Sequence, residues 1–239
     1  MIDAFRVAWQ GMKDLWDEFV LLILMNVIWS LVALLAAAPL LLLGGTDLFL
    51  ALILSFALFW LLPIVNGALC FVTNQVVHGV AVGWGTFAKG LGRYWLKSVL
   101  VTIISLVILS LIAINIQFYA VMLQGTWTNF AASIWAVIGI YWLLVQIYWF
   151  PMLLELKDEK VLGSLRRALA LPFVSPGFSL TILFVLIVLA ILCAVLTVPL
   201  VLFMAALLLL IANRATRNRI EMIQLEHEQR QGDKSGRSR

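Results

Sequence analysis

The chain has 239 residues, of which 64% are hydrophobic and 12% charged, with a net charge of +4 and a mean hydropathy of +1.09. Soluble domains carry about 25% charged residues, so the composition excludes a water-soluble domain. Apolar runs of this length require self-satisfied backbone hydrogen bonds in lipid, which predicts an all-α, polytopic membrane protein.

Residues 1–18 read as an amphipathic helix. Phe5, Ala8, Trp9, Met12 and Trp16, followed by Phe19, share one face, and Arg6, Gln10, Lys13 and Asp17 share the other. Two placements fit this pattern: a helix lying among the headgroups, or an extension of the first span packed on its neighbours. Asp14, Asp17 and Glu18 precede the apolar run, where a removable signal sequence would have a basic start, so the first span is expected to remain attached.

The first span is predicted over residues 19–43, with a turn at Gly44–Asp47, and the second over 48–72 with a kink at Pro63. Residues 74–95 read as a cytoplasmic connection containing a short amphipathic helix. Gly79 and Gly83 there have the spacing of helix-contact glycines but suit a joint better at a helix end. Gly85–Gly90 has phosphate-loop spacing, yet Leu91 stands where lysine is required, so no nucleotide site is expected. The third span covers about residues 96–122, with an outer loop from Gln124 to Asn129. The fourth covers about 130–154 and carries Pro151, and a second basic connection runs from Glu155 to Pro176 through Lys157, Lys160, Arg166 and Arg167.

Residues 178–212 form one apolar stretch of 35 residues, about 52 Å if helical. Fitting it across about 30 Å requires a tilt near 55°, beyond the roughly 0–40° range. A break at Thr197-Val198-Pro199 resolves this, since proline suits the first turn of a new helix. Six spans then put all 16 Lys and Arg on the cytoplasmic side with both termini. Five would export the basic residues after Ala212, against the positive-inside tendency. The result is one six-span domain over 19–213, built as three helical hairpins, each preceded by an amphipathic or basic cytoplasmic segment. A basic cytoplasmic tail follows over 214–239, helical at first and disordered from 231. The related aromatic-proline sequences at Phe59–Pro63 and Tyr148–Pro151 fit either an internal duplication or the aromatic richness of spans.

No ionisable residue falls deep in a span, where it would mark a proton or ion path. His78 and His227 have no metal-binding or catalytic motif around them, and Cys70 and Cys193 lie in apolar helical context. Neither an enzyme, a metal nor a cofactor is expected, and no nucleic-acid partner. Asn26, Asn66 and Gln146 remain as neutral polar residues, each about 10–13 Å from an inner helix end by rise per residue. They fit either interhelical hydrogen bonding or a polar pocket for a small uncharged ligand such as a sugar. Lys89, Arg93, Lys97, Arg166, Arg167, Arg214, Arg217 and Arg219 crowd the inner helix ends and are candidate contacts for anionic lipid. A homo-oligomer is compatible with the sequence.

Short segments in order along the chain are similar to a family, the YesL-like bacterial membrane proteins of unknown function. They are Asn26–Trp29, Pro63–Leu69, Phe87–Arg93, Phe150–Leu153, Leu165–Leu169 and Asn213–Ala215. The resemblance implies a multi-span protein of the bacterial cytoplasmic membrane encoded near carbohydrate-uptake systems, with no site residues to carry over. Two functions are expected on these grounds: a non-enzymatic accessory or regulatory partner of a carbohydrate transporter, or a small-solute carrier or channel lined by the polar layer.

Overall fold

With no water to bond the backbone in hydrocarbon, helix is the expected solution, and every element among the described residues is helical. The structure, a computed structural model, describes residues 2–122, 126–156 and 160–237. Gln124 of the expected outer loop and Lys157 of the second connection lie outside the described residues. The helices are α1 (Ile2–Asp17), α2 (Phe19–Leu43), α3 (Leu48–Phe59), α4 (Leu61–Val77) and α5 (Trp84–Gln117), then α6 (Thr126–Glu155), α7 (Val161–Val174), α8 (Pro176–Leu196), α9 (Val198–Leu202) and α10 (Met204–Arg237). A π-helical turn, Phe118–Met122, closes α5. Among the described residues, five stretches are long and apolar enough to cross a membrane: Phe19–Leu43, Leu48–Val77, Trp84–Val121, Trp127–Glu155 and Pro176–Leu196.

Proline chemistry accounts for the interruptions. Pro63 lacks an N–H and its ring crowds the carbonyl of Phe59 four residues back, and the α3–α4 boundary falls at Trp60. The long apolar stretch breaks at Thr197, whose φ of 53° is the one positive value at a non-glycine among the described residues. Pro199 sits in the first turn of α9, as the sequence predicts. A second break, at Phe203, was not legible and leaves the expected sixth crossing divided between α9 and the start of α10.

Two segments differ from expectation. The short amphipathic helix over 74–95 does not exist separately: α4 continues to Val77 and α5 starts at Trp84, running unbroken to Gln117. No proline interrupts α5, and each added residue gains a hydrogen bond without a new nucleation cost. The backbone of α10 likewise stays helical to Arg237, through residues expected to be irregular.

Packing is concentrated where the basic residues lie, here called the basic end. The largest fully buried side chains, Trp149, Tyr148, Leu22, Met25, Leu69 and Leu153, belong to a cluster shared by α1, α2, α4, α6, α8 and α10. Away from that end α3 packs on α2 and α4, and buries only Ala51 and Ser55 along its length. Phe49, Ile53, Phe56, Val107, Leu111 and Val137 stay exposed, as suits a surface facing acyl chains.

Close helix approach depends on two glycines that differ from the sequence candidates. A Cβ on Gly67 would lie 1.7 Å from Ser98 Oγ, and one on Gly90 would lie 3.0 Å from Ala68 Cα. These two contacts bring α4 and α5 together. Gly79 and Gly83 border the connection instead, with open space around them and Gly79 at φ 69°.

Candidate functional site

α4 ends in a polar run, Thr73, Asn74, Gln75 and His78, and α6 ends at Glu155. Folding joins them. Asn74 Nδ2 donates to Glu155 Oε1 at 2.9 Å and to Asn213 Oδ1 at 3.3 Å, and His78 Nε2 lies 3.4 Å from Glu155 Oε2. Asn213, fully buried on α10, donates to Thr73 Oγ1 at 3.0 Å and to the Leu209 carbonyl at 2.9 Å. A buried amide without partners costs several kcal/mol, so this network locks three helices in one register. It was not apparent from sequence, because Asn74, Glu155 and Asn213 are widely separated in the chain. The polar run closing α4 was its one signal.

Beside the network a vestibule of about 550 Å³ opens at the basic end, lined by Asn74, Gln75, His78, Arg93, Tyr94 and Glu155. A second, of about 650 Å³, lies across the His78–Val80 connection and is lined by Asp14, Asp17, Glu18, Arg214 and Arg217. Arg214 bonds Asp14 through both Nε (2.6 Å) and Nη2 (2.7 Å). That side-chain pairing holds the guanidinium pKa above its already high ordinary value.

The three expected polar-layer residues do not form one layer. Asn26 is fully buried against the α9–α10 junction. Its Nδ2 donates to the Val201 carbonyl at 2.8 Å and its Oδ1 accepts the Ala206 N–H at 3.0 Å, while Ser30 Oγ donates to the same Val201 carbonyl at 3.1 Å. Ala206 lies in the first turn of α10, where backbone N–H groups lack intrahelical partners. Asn26 therefore caps α10 from another helix. Asn66 and Gln146 do come together, with Ser98, Thr102 and Ser105, around a cavity of about 220 Å³ between α4, α5 and α6. Gln146 Nε2 donates to Ser105 Oγ at 2.7 Å. The Trp149 indole bonds the Val161 carbonyl and the Tyr141 hydroxyl bonds that of Leu169. α7 thus doubles back along α6, and Gln146 lies between Tyr141 and Trp149, the two α6 residues that bond it. Counting depth from the helix ends missed this return.

The eight basic candidates fall into two groups. Lys89, Arg93, Arg166 and Arg167 are exposed, whereas Lys97, Arg214, Arg217 and Arg219 are half-buried. Arg217 donates to the Val77 carbonyl at 2.6 Å, and the Arg219 guanidinium lies 3.7 Å over the Phe178 ring. Arg214, Arg217 and Arg219 are structural cross-links. On α1 the small and aliphatic residues Ala4, Val7, Ala8 and Leu15 are buried, with Gly11 against Ile211, while Phe5, Trp9 and Trp16 face outward. Trp9, Met12 and Trp16 border an apolar groove of about 700 Å³ shared with Leu192, Phe203 and Leu207.

No protein-family model, curated protein or solved structure matches the chain.

Proposed function

We propose that this chain is a non-enzymatic, six-span protein of the bacterial cytoplasmic membrane, related to the YesL-like proteins, that serves as an accessory or regulatory component of carbohydrate uptake. Its three hairpins are α2 with α3–α4, α5 with α6, and α8 with α9–α10. Both termini lie in the cytoplasm, and the outward aromatics of α1 contact lipid. The observation that carries the reading is the pair of charged vestibules flanking the His78–Val80 connection. Glu155 and Arg93 line one, and Asp14, Asp17, Glu18, Arg214 and Arg217 the other, surfaces suited to the mixed charges of a transporter's cytoplasmic segment. Pull-down from native membranes in mild detergent is expected to recover transporter subunits, and recovery of none would refute it. Six spans predict a tag after Arg239 that is accessible from the cytoplasm alone.

The cavity at Asn66 and Gln146 favours a second reading, a small-solute carrier. Uptake of neutral solutes by liposomes containing the protein tests it, and flux equal to empty vesicles would refute it.

A further inference from the structure

The vestibule and the small cavity lie on one seam. The vestibule is lined by Phe71, Tyr94 and Leu154 on α4, α5 and α6, and the cavity by Gly67, Ser98 and Phe150, each one helical turn away on the same helix. Between the two spaces stands a small apolar cluster. Cys70, Tyr94 and Leu154 are buried in it, Phe71 and Phe150 pack against it, and the Phe71 and Tyr94 ring centroids are 5.2 Å apart.

The chemistry of the cavity is specific. Its polar groups are two carboxamides and three hydroxyls, and no charged side chain lines it. An ion entering would lose hydration without gaining a counter-charge, a cost that excludes it. Ser98 is 3% exposed, and its hydroxyl has no hydrogen-bond partner among the described residues. A buried unsatisfied hydroxyl is destabilising, and an occupant that can donate or accept relieves it. At about 30 Å³ per water, the volume matches roughly seven waters, smaller than the sites of drug-sized ligands.

We propose that this cavity binds a small neutral polyol, entering from the basic-end vestibule past Phe71, whose ring acts as the gate. The proposal deepens the small-solute reading but requires occupancy, not flux. The carboxamides of Asn66 and Gln146 receive the hydroxyls of the ligand, and Ser98 gains the partner it lacks.

The test uses the full chain in lipid nanodiscs with Cys70 and Cys193, the two cysteines, replaced by alanine and Thr102→Cys introduced at the cavity wall. The rate of modification by a small neutral methanethiosulfonate is measured with and without erythritol, with sucrose as an oversized control. Erythritol is expected to slow modification and sucrose to leave it unchanged. Phe71→Ala is expected to raise the rate by about tenfold as the open fraction rises, and Phe71→Val, the second variant should the first misfold, to do the same. No protection by erythritol would mean that the cavity holds water only and would overturn the site. An unchanged rate in a folded Phe71 variant would overturn the route. Protection without liposome flux would keep the site while refuting the carrier reading.

Discussion

Replacing Asn26 with leucine removes a cap that one helix supplies to another. The Ala206 N–H loses its acceptor, and the Val201 carbonyl keeps only Ser30. Interhelical side-chain bonds in membranes average about 0.6 kcal/mol because the unfolded reference finds other partners, whereas losing an N-cap costs about 0.5–2 kcal/mol. The second figure governs here, since neither water nor an intrahelical carbonyl reaches a fully buried first-turn N–H. Adding the weakened Val201 bond gives an expected loss of about 2 kcal/mol. Ser30→Ala alone should cost about 0.5 kcal/mol. The double variant should exceed the sum by about 1 kcal/mol, because the Val201 carbonyl is then orphaned. Reversible unfolding by SDS titration in mixed micelles measures all three. A loss below about 0.6 kcal/mol for Asn26→Leu, or strict additivity, would refute the capping role.

Gly67→Ala places a methyl on Ser98 Oγ and should lower stability by about 2 kcal/mol; Ser98→Gly in the same chain should restore most of it in the same titration, as the clash involves Ser98 Oγ and Cβ. Asp14→Ala strips the part-buried Arg214 of its two charge-assisted bonds. About 1–2 kcal/mol is expected to be lost, and trypsin should cut faster at Arg6 and Lys13 as α1 loosens. Thr197→Gly relieves a threonine at positive φ and should stabilise by about 1 kcal/mol; a destabilised glycine variant would show that Thr197 has contacts outweighing its strain.

Overall length and charge made much of the architecture legible. A 35-residue apolar stretch cannot cross as one straight helix, and Pro199 marked where it breaks. Pro63 gave the α3–α4 boundary within three residues of Trp60. Asn26, Asn66 and Gln146 were visible as polar residues in apolar runs, but their grouping was not, because counting along each helix ignores rotation and crossing. Asn26 bonds residues about 175 positions away, and the doubling of α7 along α6 depends on Tyr141 and Trp149 reaching α7 carbonyls. Similarly, the large aromatics of α1 dominate its sequence pattern. Burial selects instead its small and aliphatic residues, Ala4, Val7, Ala8, Gly11 and Leu15, with Gly11 set close against Ile211 of α10.

The contrast between the two ends of the molecule has a physical consequence for what can move. Phe49, Ile53 and Phe56 on α3, with Val107 and Leu111 on α5, bury little against protein, and acyl chains solvate them about as well as leucine side chains would. Shifting α3 in the bilayer therefore changes its hydrophobic energy little. At the basic end the helices are tied by bonds that lipid cannot replace: Asn74 to Glu155 and Asn213, Asn26 to the α9–α10 junction, and Arg217 to the Val77 carbonyl. A conformational change that leaves these bonds intact is confined to the far ends of the helices and to side chains on the α4–α5–α6 seam. Phe71 is of that second kind. Its ring lies outside this network and can rotate without breaking it, which is the property a gate needs.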